Sequence, residues 1–369
     1  MLRILNIIGT RPEAIKMAMF HKLLLENEKF EPILCLTGQH TTLVSDVLDV
    51  FGLTPHYCCL LNSSFKSMAD RMACLLVSIQ EVIDLAKPEL IAVQGDTLSS
   101  YCGAMVGFLN QIPVAHIEAG LRTNNKWSPY PEEIFRKFND ALADVHFAGS
   151  QNAVLNLKKE GIVDSVFLTG NTGIDALVYM QTKLLNNEFG IPDYLGNLIV
   201  KFKKDNQKII VLTLHRREGQ LKLIPQVLEE INKIVDDIGC QIVFPVHTNP
   251  NIQKAIDKLE LNDRIHCINN LVYHEFIWLM MQSDLILTDS GGIQEEAPYL
   301  GKPVIVLREV TERQEVVVLG TNKMYRQSHL QEDINEILNK NEDAIHKPYG
   351  NGKASIEIIK TLEERYLTS

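Results

Sequence analysis

The sequence predicts an α/β protein built from two doubly wound parallel sheets. Its 369 residues exceed what a single core normally accommodates, short β-branched apolar runs alternate with longer helical patterns, and a second such series restarts past the midpoint. The first series places strands at Ile4–Ile8, Pro32–Thr37, Leu90–Val93, Val114–Ile117, Val145–Ala148 and Val166–Thr169. Helical patterns at Ala14–Glu26, Phe65–Leu85 and Leu98–Asn110 lie between them. A loop-prone stretch near Asn186–Asn197 precedes strands at Ile209–Thr213, Gln241–Val246, Ile265–Ile268, Leu285–Thr288 and Val304–Leu307. The boundary is expected near Gly170–Asp175, giving one Rossmann-like domain over 1–170 and another over 171–353. Helical periodicity over Ala354–Leu367 marks a last helix, so that residues 354–369 are expected to fold back onto the first domain. Ligands of such sheets sit beyond the carboxyl ends of the strands. A site between the two domains is the expectation.

Composition narrows the partners. A net charge of -10 disfavours nucleic acid and anionic membrane, although a few local cations and backbone amides suffice to hold a phosphate. The first residues are too short for a secretory leader, and no apolar run approaches the roughly 18 residues of a membrane span, so a soluble cytoplasmic protein beginning at Met1 is expected. The seven cysteines are odd in number and lack Cys-x-x-Cys spacing, which points to reduced thiols. No metal is expected, since there is no Asp-x-Asp pair and no histidine-rich cluster. No cofactor is expected either.

Several segments have the chemistry of an anion site. Gly9-Thr10-Arg11-Pro12-Glu13-Ala14-Ile15-Lys16 follows the first strand, with a permissive glycine, capping-box spacing and two cations beside a helix start. By itself this is also an ordinary strand-to-helix turn. Thr288-Asp289-Ser290-Gly291-Gly292 opens another helix, where glycines let a diphosphate approach the backbone, Ser290 can donate a hydroxyl, and Glu296 can accept ribose hydroxyls. Asp96 in Gln94-Gly95-Asp96-Thr97 and Glu118 in His116-Ile117-Glu118 follow neighbouring strands, and carboxylates that converge there suit proton transfer. An isolated Asp in that place is equally a helix cap. Pro129-Tyr130-Pro131-Glu132-Glu133 adds carboxylates on a proline-stiffened turn, and His215-Arg216-Arg217-Glu218 adds a histidine and two arginines. His247 reads either as a loop cap or as a ligand contact.

Together these segments resemble the non-hydrolysing UDP-N-acetylglucosamine 2-epimerases, relatives of the glycosyltransferase-B architecture. The matching pieces are GTRPEAIK at 9–16, GQH at 38–40, QGDT at 94–97, HIEAGLRT at 116–123, SPYPEE at 128–133, GNTGIDAL at 170–177, HRRE at 215–218, PVHTNP at 245–250, TDSGGIQEEAPYLGKPV at 288–304, TER at 311–313 and PYGNGKAS at 348–355. They span nearly the whole chain in one order. The resemblance implies Asp96, Glu118, Glu132 and His215 as acid/base groups, and Arg11, Lys16, Ser290, Gly291, Gly292, Glu296 and Arg313 around UDP, with Phe276 against uracil. It further implies a homodimer and, beside the substrate, a second UDP-N-acetylglucosamine acting as allosteric activator on Gln39, His40, Arg71, Arg216 and His247. Departures occur where Gly219-Gln220 follows HRRE, where Gln314 replaces the usual Pro after TER, and where Phe135 stands for Asn.

The hydrogen on C2 of such a sugar is not acidic, because no carbonyl adjoins that carbon. Breaking the anomeric bond to UDP gives C1 oxocarbenium character and makes the C2 proton removable, which yields a 2-acetamidoglucal. Re-protonation from the other face and return of UDP complete the inversion, supplying N-acetylmannosamine units for surface polysaccharide. Rival readings are a hydrolysing epimerase releasing N-acetylmannosamine and UDP, a glycosyltransferase, and a UDP-sugar-binding regulator without turnover. Arg11-Pro12-Glu13 after Gly9-Thr10 favours the non-hydrolysing branch, and retention of all four acid/base candidates argues against the regulator.

Overall fold

Short buried strands joined by amphipathic helices produce the same sheet twice. The computed structural model describes all residues except 40–41, 60–64, 66, 215–222, 247–249, 309, 341–346 and 368–369. In chain order the first part runs β1 (Leu2–Ile8), α1 (Arg11–Leu25), β2 (Phe30–Leu36), α2 (Thr42–Phe51), β3 (Tyr57–Cys58), α3 (Met68–Ala86), β4 (Leu90–Gln94), α4 (Leu98–Leu109), β5 (Val114–Ala119), α5 (Glu132–Leu142), β6 (Val145–Ala148), α6 (Gln151–Lys159), β7 (Val166–Leu168) and α7 (Thr172–Leu185). The second part runs α8 (Asp193–Lys204), β8 (Ile209–Thr213), α9 (Leu223–Ile238), β9 (Gln241–Pro245), α10 (Pro250–Ile256), β10 (Ile265–Ile268), α11 (Tyr273–Gln282), β11 (Leu285–Thr288), α12 (Gly291–Tyr299), β12 (Val304–Val306), α13 (Gln314–Val318), β13 (Asn322–Met324), α14 (Leu330–Asn339) and α15 (Ala354–Tyr366).

Seven strands of the first sheet lie in the order β3-β2-β1-β4-β5-β6-β7, and six of the second in the order β10-β9-β8-β11-β12-β13, with parallel pairing throughout. Both orders reverse direction beside their first strand, the doubly wound arrangement that leaves a crevice at strand ends. Such sheets are covered on both faces, which is why β4, β8 and β9 are buried at every position. The first core joins Leu5, Ile7, Ile91 and Val93 to Leu75, Ile79 and Val106 of the flanking helices, and the second joins Ile210, Leu212 and Phe244 to Val227, Leu228 and Ile334. On α4, a Cβ at Gly103 would lie 2.7 Å from Ile7 Cδ1 and one at Gly107 2.8 Å from Val114 Cγ2. That helix therefore rides close on the sheet, which fixes the turn in front of it.

Contacts group Met1–Val178 with Pro348–Ser369 as one unit and Tyr179–Lys347 as the other. Asp175 accepts the N–H groups of Ala354 and Ser355 at 3.0 and 2.6 Å, which ties the front of α7 to the start of α15. Helix α15 lies against α1, and Glu363 bonds Asn27 and Lys29 at 2.7 Å each. The stretch read as loop-prone differs in its second half, where α8 starts at Asp193. There Leu195, Ile199 and Phe202 bury one helical face and outweigh the weak propensities of Gly196 and Asn197. No helix among the described residues is long and apolar enough to cross a membrane.

Candidate active site

In the first unit the turn after β1 is a capping box: Thr10 caps α1, and Glu13 reaches back to accept the N–H groups of Thr10 at 2.7 Å and Gly9 at 3.1 Å. The other oxygen of Glu13 accepts the Thr97 hydroxyl at 2.7 Å, and Thr97 in turn caps α4 through the Ser100 N–H at 3.0 Å. One carboxyl thus ties the turn after β1 to the turn after β4. Burial pushes Glu13 up to about 7, against the hydrogen bonds from Thr97, Thr10 and Gly9 that pull it down.

Glu118 sits where the pairing of β5 with β6 slips between Ile117 and Ala119, in a left-handed conformation with φ of 68°. The bulge re-aims its side chain across the strand ends. Lys16, from the second turn of α1, forms an ion pair with it; Gln94 Nε2 donates to it at 2.5 Å and Asn171 Nδ2 at 3.2 Å. These N–H donors favour the carboxylate form. Asp96, at the next strand end, forms an ion pair with Arg136 of α5 and keeps 25% of its side chain exposed. Glu132 opens α5 half-buried, while Arg11 is half-buried at the first position of α1. Asp96, Glu118 and Lys16 therefore belong to one strand-end cluster of the first unit. Sequence reasoning missed Gln94, Asn171 and Arg136, although Gln94 and Asn171 lie inside recognised motifs and Arg136 stands one helical turn after Glu132.

The inner face of α5 is unusual. Glu133, Arg136, Asn139 and Asp140 are all buried, a polar stripe where apolar residues normally stand. Glu133 accepts the Thr123 and Asn124 N–H groups at 3.0 and 2.9 Å, and Asn139 donates to the Gly95 carbonyl at 3.0 Å. Asp140 accepts from Arg122 at 2.6 Å and meets His116 Nδ1 at 2.6 Å. Phe135, the departure from the usual Asn, is buried with its ring stacked on Tyr101, centroids 5.1 Å apart.

In the second unit, Ser290 caps α12 and its side chain makes no cap hydrogen bond. The N–H groups of Gly291 and Gly292 open this helix, a place suited to an anion. A Cβ on Gly291 would meet Arg313 Cζ at 2.8 Å, whereas nothing lies within 4 Å of one on Gly292. Arg313 is itself held by Glu295, at 2.8 Å from its Nε, and by Glu312. Its guanidinium is thus packed under the glycine turn, and Glu296 is buried two turns along the same helix. Phe276 is half-buried on α11.

Of the activator residues, Gln39 is half-buried and accepts the Ser99 hydroxyl at 2.9 Å, and Arg71 is exposed in the first turn of α3. His40, His215, Arg216 and His247 lie outside the described residues.

A carboxylate cluster at the strand ends of one Rossmann-like unit and a Gly-Gly helix start in the other define a two-unit α/β enzyme. Residues 22–363 match the family of UDP-N-acetylglucosamine 2-epimerases. The chain belongs to that family and is an isomerase. A UDP-N-acetylglucosamine 2-epimerase of Campylobacter jejuni is 39% identical over 371 residues, 98% of this chain and 97% of the relative. The crystal structure of a UDP-GlcNAc 2-epimerase from Neisseria meningitidis bound to UDP-GlcNAc matches with a TM-score of 0.89 at 36% identity, covering 99% of this chain and 100% of that one. The S. aureus MnaA-UDP co-structure matches with 0.89 at 37%, covering 100% and 97%.

Proposed function

We propose that this chain interconverts UDP-N-acetylglucosamine and UDP-N-acetylmannosamine without releasing free sugar. The observation that carries the reading is the carboxylate of Glu118, aimed across the strand ends by its bulge and held by Lys16, one strand from Asp96. In this mechanism the C1–O bond to UDP breaks with both electrons leaving on the diphosphate, and one of Asp96, Glu118, Glu132 and His215 takes the C2 proton. The glycal is then re-protonated on its other face by a second member of the set, and a diphosphate oxygen re-forms the bond to C1. The Gly291-Gly292 helix start, with Arg313 beneath it, stabilises the leaving diphosphate by preorganised charge, an effect that can be worth about 3 kcal/mol per donor.

A homodimer is part of the reading, supported by exposed apolar side chains on three consecutive helices: Val77 and Leu85 of α3, Phe108 and Leu109 of α4, and Phe138 of α5. A cytoplasmic location, use of the product for surface polysaccharide, and activation by a second substrate molecule through Gln39, Arg71 and the matching residues of the second unit complete it.

Incubation of the protein with UDP-N-acetylglucosamine in deuterium oxide tests the reading. The expected result is equilibration with UDP-N-acetylmannosamine and deuterium at C2 of both. Free N-acetylmannosamine with no nucleotide-bound product selects hydrolysis instead, and absence of exchange at C2 under saturating substrate overturns the mechanism.

A further inference from the structure

His116 is fully buried on β5, two residues before Glu118 and one strand from β4, whose end carries Asp96, and no step above uses it. Its Nε2 lies 2.8 Å from the Gly95 carbonyl and its Nδ1 2.6 Å from Asp140 Oδ1. A carbonyl oxygen only accepts, so Nε2 bears a proton. Asp140 also accepts Arg122 Nη2 at 2.6 Å and the Gly120 N–H at 3.3 Å through its other oxygen, so the carboxyl that meets Nδ1 is itself anchored. Burial alone raises the Asp140 carboxyl, but His116 and Arg122 outweigh it and hold the group below its usual range. Arg122 is shared between Asp140 and Glu160, which it meets at 2.6 Å.

We propose that His116 acts as a positioning residue: its Nε2–H clamps the Gly95 carbonyl and hence the Asp96 carboxylate, while Asp140 holds the ring in place from the Nδ1 side. This rests on the assignment of Asp96 to the reacting centre. The clamp has a second jaw, since Asn139 Nδ2 donates to the same carbonyl at 3.0 Å. Gly95 is left-handed, with φ of 68°, so its peptide is the hinge on which the following residue turns. A ring without a proton on Nε2 would aim a lone pair at the Gly95 oxygen and open the clamp.

The ionisable groups facing His116 are Asp140 of α5, Arg122 after β5, with Glu160 behind it, and His146 of β6. Burial holds His146 below the usual imidazole range, and its Nε2 donates to the Asp140 carbonyl at 2.7 Å.

Nitrogen-15 NMR of the intact, histidine-labelled protein tests the clamp directly, with the His116 signals identified by their loss in His116→Gln. A proton on Nε2 is expected; an unprotonated Nε2 overturns the proposal whatever the enzyme's substrate. The positioning role is read from kcat and KM for UDP-N-acetylglucosamine. His116→Ala, which leaves the Gly95 carbonyl without this donor, should lower kcat on the order of 100-fold with KM nearly constant, whereas His116→Gln, which keeps an N–H for Gly95, should retain turnover within about tenfold of wild type. A His116→Ala as active as wild type, a change confined to KM, or a folded but inactive His116→Gln overturns it. Should wild type itself exchange no C2 hydrogen, the epimerase reading fails, while the NMR result still decides the Nε2 proton.

Discussion

Lys16 and Glu118 stand 102 positions apart in sequence and close an ion pair in which the side chains are only 10% and 9% exposed. The lysine comes from the helix that follows β1 and the carboxylate from the bulged end of β5, so the pair measures how accurately two separate crossovers deliver their ends to one place.

Because the two groups act as one unit, their losses should not add. Lys16→Met and Glu118→Gln are each expected to lower kcat on the order of 100-fold, and the double variant to be little worse than either. UDP affinity of Glu118→Gln, followed by calorimetry, should stay within a few-fold. Losses that multiply in the double variant would show that lysine and glutamate serve separate steps.

The two glycines before α12 should respond differently. Gly291→Ala drives a methyl group toward Arg313 Cζ, 2.8 Å away, and disturbs the pairs with Glu295 and Glu312. It should cost about 1–3 kcal/mol in thermal unfolding as well as roughly tenfold in UDP affinity. Gly292→Ala meets no protein atom within 4 Å, so stability should hold while UDP binding alone weakens. Equal stability of both variants would contradict the packing described.

Glu13 makes a stability prediction with a definite sign. Burial pushes its folded carboxyl from the ordinary 4.5 up to about 7, so the folded state holds a proton that the unfolded chain releases. Stability should therefore be full below pH 4.5 and fall as pH rises toward 7, by at most about 3 kcal/mol. In Glu13→Gln this fall should vanish, with the new amide donating to Thr97 and the remaining oxygen still accepting from Gly9 and Thr10. Unfolding followed between pH 5 and 8 for both proteins checks it; identical pH dependence would remove Glu13 as the source.

Much of the architecture is legible in the sequence because a parallel strand buried on both faces leaves an uninterrupted apolar run, as at Ile209–Thr213. The Thr10/Glu13 spacing likewise announces the helix that follows. Short edge elements are not legible: β3, only Tyr57–Cys58, and β13, Asn322–Met324, owe their conformation to pairing with a neighbour. Helix α8 was hidden by Gly196 and Asn197, whose local preferences give way to packing of Leu195, Ile199 and Phe202. In the site, acidic residues at strand ends mark themselves, but their partners do not. Arg136, Asn139 and Asp140 carry no local mark of their burial, and nothing local tells a paired arginine from an exposed one.

The backbone of the first unit is completed by a late arrival. Asn171, which reaches Glu118 with its side chain, donates its N–H to the Tyr349 carbonyl at 2.8 Å, and Asp175 secures Ala354, 179 positions further along. A ribosome that has just finished β7 has therefore made every strand of the first sheet without the segment that braces its carboxylate cluster. That brace becomes available only once a whole second sheet has been translated.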